Sequence, residues 1–350
     1  MFKNSKIALF SDLHIGVHKD SSVWHTIALN FGDWFVKELN RKNIKDIIFC
    51  GDFFHTRHEI EQTTLKCGIE FLNKFKDFNL VMIPGNHCCY FKSNATVHSL
   101  EVFKSWENVT ILDTPTLVRH GSRSYMFCPW GTAVEDIQAC DIIFGHFELT
   151  NFKMNSFKIC EHGQSAEDLH VVGSKVVTGH FHLREHRYYD TGREVLYLGA
   201  PYQMDFGERE QVKGYTILNS ETLNFEFIEN PVSPVHFKIK LSELLEQKDK
   251  ISIFKEKVKN NIVSFLVDRT VEQDKLHKIT SMITCMSPLQ FRVEHTVRES
   301  FIDEEQDLEM VGIDIQSAIH EFVNSMTVDV SKEEILSVVE DIYKRALLEK

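Results

Sequence analysis

The apolar run Lys6-Ile-Ala-Leu-Phe10 opens directly into Ser11-Asp-Leu-His-Ile-Gly16, so a short hydrophobic segment ends on an aspartate and a histidine two residues apart. The same plan returns where Asp46-Ile-Ile-Phe-Cys50 runs into Gly51-Asp52, and where Leu80-Val-Met-Ile83 runs into Pro84-Gly-Asn-His87. Each run has the length and β-branched content of a buried strand. Between them, Trp24, Ile27, Ala28, Phe31, Trp34 and Phe35 share one helical face, and Leu65, Gly68, Ile69, Leu72 and Phe75 share another. Strand, helix, strand, helix, strand predicts right-handed crossovers between parallel neighbours. That is an α/β fold whose ligands gather beyond the carboxyl ends of the strands.

Three later runs repeat the arrangement. Asp141 to Phe144 leads into Gly145 and His146, Lys175 to Thr178 into Gly179, His180 and His182, and Val195 to Leu198 into Gly199, Ala200 and Pro201. Most of the 18 histidines lie at or before His186, so the chemistry belongs to that part of the chain. Asn230 to Pro234, with two prolines, reads as a linker or domain edge. Beyond it, Ile262 to Val267 and Leu289 to Val293 read as strands around a helix near Val271 to Met282, a small α+β unit. An acidic stretch from Glu299 to Glu309 reads as a solvated linker, and two helices follow, the last opened by a capping box at Ser331 and Glu334.

With 350 residues, 43% of them hydrophobic, the chain has ample material for a core. It shows no run long enough for a membrane helix and no signal-peptide pattern at its start. Eight cysteines without CxxC spacing read as reduced thiols, so the expected setting is cytoplasmic. Thirty-nine basic against 51 acidic residues give a net charge of −12, which argues against binding nucleic acid through a general basic surface. A polyanionic substrate would need a local source of positive charge.

Asp12, His14, Asp52, Asn86, His146, His180 and His182 supply it if they hold metal. Seven nitrogen and oxygen donors exceed the needs of one ion and suit two ions that share a bridging carboxylate. Imidazoles mixed with carboxylates favour manganese, iron or zinc over magnesium. Two divalent ions reverse the local field, and the matching chemistry is hydrolysis at phosphorus by in-line attack, with His87 placed to protonate the leaving oxygen. A lone D-x-H or G-N-H occurs by chance. Five such pieces in order, each after a strand, point to a binuclear phosphoesterase. His98, His162, His236 and His320 read as surface or hydrogen-bonded residues. Tyr90 and Lys92, beside Phe91, could meet a substrate strand by stacking and charge, although a packed loop is the simpler reading.

Ser11-Asp-Leu-His-Ile-Gly16, Gly51-Asp-Phe-Phe-His-Thr-Arg57, Pro84-Gly-Asn-His87, Cys128-Pro-Trp130, Gly145-His-Phe-Glu148, Gly179-His-Phe-His182 and Gly199-Ala-Pro201 together resemble the calcineurin-like metallophosphoesterases, and within them the SbcD-type recombination nucleases of the tailed-phage branch. The motifs span residues 11 to 201, and beyond about 235 only the order of elements matches. The resemblance implies a β-sandwich flanked by helices over residues 1–235, a smaller α+β DNA-capping domain over 236–297, and an acidic linker with C-terminal helices over 298–350 that dock on an SMC-like coiled-coil ATPase. It implies Asp12, His14 and His182 on one ion, Asn86, His146 and His180 on the other, Asp52 between them, His87 as acid and His55 in support. It further implies a homodimer that hydrolyses DNA with manganese, as a 3′-to-5′ exonuclease on duplex ends and an endonuclease on single strands, in a host cytoplasm if phage-encoded.

The resemblance departs at Cys88, where the family usually has an acidic residue able to orient the preceding imidazole. A thiol there leaves open a slower enzyme, a different partner for His87, or an idle site that still binds metal. Two other functions also stay open: a protein or nucleotide phosphatase on the same core, and a DNA-end-binding subunit with a lapsed metal site. His55 and Cys88 at positions diagnostic of protein phosphatases weigh against the first, and the intact ligand set against the second.

Overall fold

Alternation within each apolar run decides which layer a side chain joins. In β1 (Lys6–Phe10), Ile7 and Leu9 face one way while Ala8 and Phe10 face the other; in β2 (Asp46–Phe49) Ile48 follows the first pair, and Ile47 and Phe49 the second. The computed structural model describes residues 2–155, 158–246 and 251–295, together with 331, 332, 336 and 338. In it β1 and β2 are followed by β3 (Asn79–Met82) and β4 (Val109–Ile111), all parallel, as the predicted crossovers require. The crossover helices are Ser22–Arg41 and Gln62–Asn73, and their buried Phe31, Phe35 and Phe71 pack on Phe10 and Phe49 across the outer face. Each such fully buried ring contributes roughly 1.5–3 kcal/mol of burial.

The second sheet holds β5 (Thr116–His120), β6 (Arg123–Cys128), β7 (Cys140–His146), β8 (Gly173–Gly179), β9 (Glu185–Tyr188) and β10 (Glu194–Tyr197), in the order β5-β6-β7-β8-β10-β9. β6, β7, β8 and β10 are parallel, with antiparallel β5 and β9 at the edges. The chain then returns to the first sheet through β11 (Gly214–Asn219), antiparallel to β1, and β12 (Phe225–Glu229), giving the order β12-β11-β1-β2-β3-β4. Ile7, Leu9, Ile48 and Val81 of the first sheet meet Phe127, Ile142, Phe144, Val177 and Leu196 of the second in one buried layer. This is a β-sandwich with helices outside, the fold class expected from the sequence.

The predicted edge at Asn230 to Pro234 separates β12 from a third sheet of β13 (His236–Lys240), β14 (Ile262–Val267) and β15 (Gln290–His295). Its strands are all parallel, and the helix Gln273–Cys285 lies between β14 and β15 as read from the sequence. Ile239, Val263, Phe265, Ile279 and Ile283 give this unit a core of its own. The chain divides into two compact units, Met1–Val297 and Arg298–Lys350. The acidic stretch and, but for the four positions named, the closing helices lie outside the described residues. Among the described residues no helix is long and apolar enough to cross a membrane.

Candidate metal centre

Strand ends bring the seven sequence-predicted donors together from both large sheets. Past β1 and β2 the backbones stay laced, with Asp12 N–H donating to Gly51 O at 2.9 Å and His14 N–H to Asp52 O at 3.0 Å. That lacing holds Asp12 (φ 56°), His14 (φ 47°) and Asp52 (φ 62°) in left-handed backbone, and His180 beyond β8 has φ 95°. Such conformations cost of order 1–3 kcal/mol each for a side chain with a Cβ, and they persist only where surrounding contacts enforce them. The floor of the site is equally tight. A Cβ at Gly85 would collide with the Asp52 carboxylate, and one at Gly51, already at φ 98°, with the His146 ring.

Two groups of donors result. Asp12, His14 and His182 present ligand atoms within 4.8 Å of one another, as do Asp52, His146 and His180. Asn86 joins the second group, its Oδ1 standing 2.9 Å from His146 Nε2 and 3.0 Å from His180 Nδ1. Asp52 Oδ2 lies between the groups, 3.6 Å from His14 Nε2 and 3.2 Å from His146 Nε2. All seven expected ligands therefore converge.

The outer partners decide which ring nitrogens face inward. His146 Nδ1 donates to Cys50 O at 2.7 Å, and His182 Nδ1 donates to Glu208 Oε1 at 3.0 Å. Each leaves an Nε2 lone pair turned into the site, the usual arrangement for a metal-binding imidazole. His182 Nε2 then faces His14 Nε2 at 3.0 Å, and His146 Nε2 faces the acceptor Asn86 Oδ1. With the Nδ1 protons of His146 and His182 held by outer partners, four imidazoles, two carboxylates and one amide oxygen crowd one spot, a donor set that fits a pair of divalent ions.

Burial pushes His14 well below the ordinary imidazole range, and burial with the nearby His146 brings His180 down to about 3. His146 goes the other way: burial opposes its charge, but the Asp52 carboxylate lifts it to about 9. Burial likewise opposes ionisation of Asp52, and the imidazoles of His146 and His14 more than reverse it, holding its carboxyl far below the usual range.

His87 follows Asn86 at the same turn. Its N–H donates to Asp52 Oδ1 at 2.8 Å, and its ring Nδ1 donates to the His55 carbonyl at 2.5 Å, with the two rings stacked at 5.3 Å. His55 Nδ1 is 3.3 Å from His14 Nδ1, so it borders the ligand set. A different partner for His87, one of the outcomes left open at Cys88, is thus what the structure shows: a main-chain carbonyl orients the ring. Cys88 is 1% exposed, packs in the core, and accepts the Phe53 N–H at 3.3 Å. Burial pushes its thiol up to about 11. Tyr90 and Phe91 are not packed away; they are 52% and 44% exposed, while the Lys92 carbonyl accepts from Trp130 Nε1 at 2.7 Å.

Three residues beside the site carried no sequence signal of their role. Glu208 grips His182, and its second oxygen pairs at 2.7 Å with Lys213, which also donates to the His182 carbonyl at 2.7 Å. Glu208 and Lys213 are each 4% exposed. Trp130, within a quoted motif but without an assigned part, lies 5.3 Å from the His180 ring and closes that side of the centre.

A sandwich whose two sheets converge on such a donor set is the architecture of a metallophosphoesterase. A family model described as calcineurin-like phosphoesterase matches residues 5–215, well over half of the chain, and the chain belongs to that family of phosphoester hydrolases. It is similar to exonuclease subunit 1 of Enterobacteria phage T4, with 23% identity over 363 aligned positions that cover 97% of this chain and 99% of that protein. Among solved structures it is similar to a dimetal phosphatase from Danio rerio, at 9% identity over 61% of this chain and 92% of that one with a TM-score of 0.38. A nuclease from Pseudomonas putida matches at 14% identity over 63% of this chain and 87% of that one, with a TM-score of 0.31.

Proposed function

We propose that the chain is a DNA nuclease subunit acting in recombination, repair and end processing. In this reading it hydrolyses phosphodiesters with two divalent ions, manganese by preference, as a 3′-to-5′ exonuclease on duplex ends and an endonuclease on single strands. The observation that carries the reading is the convergence of seven donors and His87 in a chain that aligns over 97% of its length with a phage exonuclease subunit. Manganese suits a set of four imidazoles and three oxygen donors. An SMC-like ATPase partner, a homodimer and a cytoplasmic setting complete the reading. Residues 1–235 would then form the nuclease domain, 236–297 a DNA-capping domain, and 298–350 a linker and docking helices.

Asp12, His14 and His182 would hold one ion, Asn86, His146 and His180 the other, and Asp52 would serve both. Bound there, the ions would supply Lewis acidity at phosphorus and a water nucleophile at neutral pH. The chain supplies the rest. Glu208 and the Cys50 carbonyl keep the His182 and His146 rings turned inward. His87 has its Nδ1 committed to the His55 carbonyl, so its Nε2 is the atom left to protonate the departing oxygen.

The test is a linear duplex labelled at one 3′ end, incubated with the purified chain, manganese and the ATPase partner beside a chelated control, and run in parallel with a phosphomonoester. Mononucleotide release that depends on metal is expected. An intact duplex alongside rapid monoester hydrolysis would replace the nuclease with a phosphatase. His87→Gln should slow DNA cleavage about 100-fold or more, yet barely touch a nitrophenyl diester whose leaving group needs no proton.

A further inference from the structure

A cavity of about 580 Å³ opens between the sandwich and the third sheet, outside the ligand set. His18, Trp24 and Phe206 line it from one side, and His236, Phe291 and Arg292 from the other. The rings are ordered against one another: His18 lies 4.4 Å from Trp24 at 32°, Trp24 stacks 5.9 Å from His236 at 25°, and Phe206 meets His236 edge-on at 4.8 Å. Cations share the spot. The Arg292 guanidinium sits 4.3 Å from the Phe206 ring centre and the Lys238 ammonium 5.4 Å from it. Glu294 anchors Arg292 at 2.6 Å, which leaves the guanidinium further donors. The one carboxylate in the lining, Asp205, already accepts the Gly207 N–H at 2.6 Å.

Two further observations mark this place as built for a ligand. Trp24 Nε1 and His236 Nδ1 have no hydrogen-bond partner among the described residues, although the two side chains are only 3% and 4% exposed. Buried polar atoms without partners are rare enough to need a reason. The loop that presents His18 is strained as well, with His18, Lys19 and Asp20 consecutively left-handed at φ 56°, 58° and 56°. Asp20 is pinned by Thr64 at 2.5 Å, and His18 Nε2 donates to Met204 O at 2.8 Å. Strain of this kind gathers at functional sites.

Rings, cations and hydrogen-bonding edges in one cleft are the chemistry that holds a base and its phosphate. The cleft also abuts the centre. Asp205 and Gly207 line both it and a second cavity of about 400 Å³ that His180, His182 and Glu208 share.

We propose that this cavity is a nucleotide subsite, which takes one unpaired nucleobase against Phe206 and Phe291 while Arg292 and Lys238 hold the phosphate attached to it. Whether the nucleotide comes from a substrate strand depends on the nuclease reading above, and a free mononucleotide offers the same chemistry. Gln290, also in the lining, can address the edge of the base.

The experiment uses the full chain in chelator, so that binding is read without turnover. A labelled single-stranded oligodeoxynucleotide with one abasic position, moved stepwise along it, is followed by fluorescence polarisation, and dAMP binding is measured by calorimetry. One abasic position should weaken binding about tenfold, the usual size of a lost base stack. Phe206→Leu should weaken the intact strand similarly and remove the position dependence. Arg292→Gln, on an exposed side chain that folding does not need, should do the same. If dAMP binds the wild type and not these variants, a free nucleotide occupies the site too; if it fails to bind while the abasic dependence holds, the source is the strand. A flat abasic scan together with dAMP binding that is absent or indifferent to both variants overturns the subsite. The two readings fail separately: DNA cleavage with a flat scan and with dAMP binding absent or indifferent to both variants sinks only the subsite, and dAMP binding that needs Arg292 in a chain unable to cut DNA sinks only the nuclease.

Discussion

The two large sheets meet at the same centre with different chemistry. The first offers Asp12, His14, Asp52 and Asn86 from turns after β1, β2 and β3, mostly oxygen donors in strained backbone. The second offers only imidazoles, His146 at the end of β7 and His180 and His182 just past β8. The oxygen side is rigid by backbone: its turns are cross-bonded main chain to main chain, Asp12 N–H to the Gly51 carbonyl and His14 N–H to the Asp52 carbonyl. The imidazole side is aimed by outer partners, the Cys50 carbonyl behind His146 and Glu208 behind His182. A site assembled between two layers can thus be preorganised in two ways, by locking the chain or by locking the ring.

Asp52 is where the comparison breaks most severely, because its carboxylate faces imidazoles of both sheets, His14 at 3.6 Å and His146 at 3.2 Å. Asp52→Asn should keep the fold and reduce metal-dependent phosphodiester hydrolysis about a thousandfold or more, since the charge shared by the two donor groups is lost. Circular dichroism establishes the fold, and a rate on a nitrophenyl diester gives the loss. A variant that keeps a tenth of the activity would mean that the two sheets act as independent sites.

Glu208→Gln sharpens the imidazole side. The amide can still accept from His182 Nδ1, but it carries no charge to strengthen the ring as a ligand or to match Lys213. Metal affinity should fall about 10- to 100-fold, the usual result of removing such an outer partner. Leaving Lys213 buried without its carboxylate should also cost about 3 kcal/mol or more of stability. Metal titration by calorimetry and a melting curve separate the two effects. Unchanged metal affinity with a lowered melting point would make Glu208 merely a counterion to Lys213.

These two regions were not equally legible in the sequence. Every donor followed an apolar run with strand periodicity, so Asp12, Asp52, Asn86, His146 and His180 could be placed at strand ends before any contact was known. Glu208 lies in an irregular loop after β10, where no period links it to His182, and only the return of the chain through β11 brings it there. The nucleotide cavity was hidden for the same reason. His18 and His236 stand at the two ends of the sandwich sequence, and His236, which the sequence suggested was bland, stacks on Trp24 only once the third sheet is in place. Strands such as β5 (Thr116–His120) and β12 (Phe225–Glu229) are half-exposed edges without a clean apolar run, so their pairing was not readable.

The smallest effect should come from the residue that departs most visibly from the family pattern. Were an acidic group after Gly-Asn-His essential to orient the acid, a cysteine there would leave His87 without support. Here the His55 carbonyl holds His87 Nδ1 at 2.5 Å, while Cys88 turns into the core beside the Phe53 N–H. With its thiol pushed up to about 11, Cys88 stays neutral through the working range and offers His87 no charge. Cys88→Ala should therefore leave the hydrolysis rate within about twofold of wild type and cost about 1 kcal/mol of stability, the loss of one small buried side chain and a weak hydrogen bond. Cys88→Asp should unfold more easily without running faster, because it places a carboxylate in apolar packing. A faster Cys88→Asp enzyme would show that the oxygen side still needs the family's carboxylate, and that its backbone alone does not set the acid.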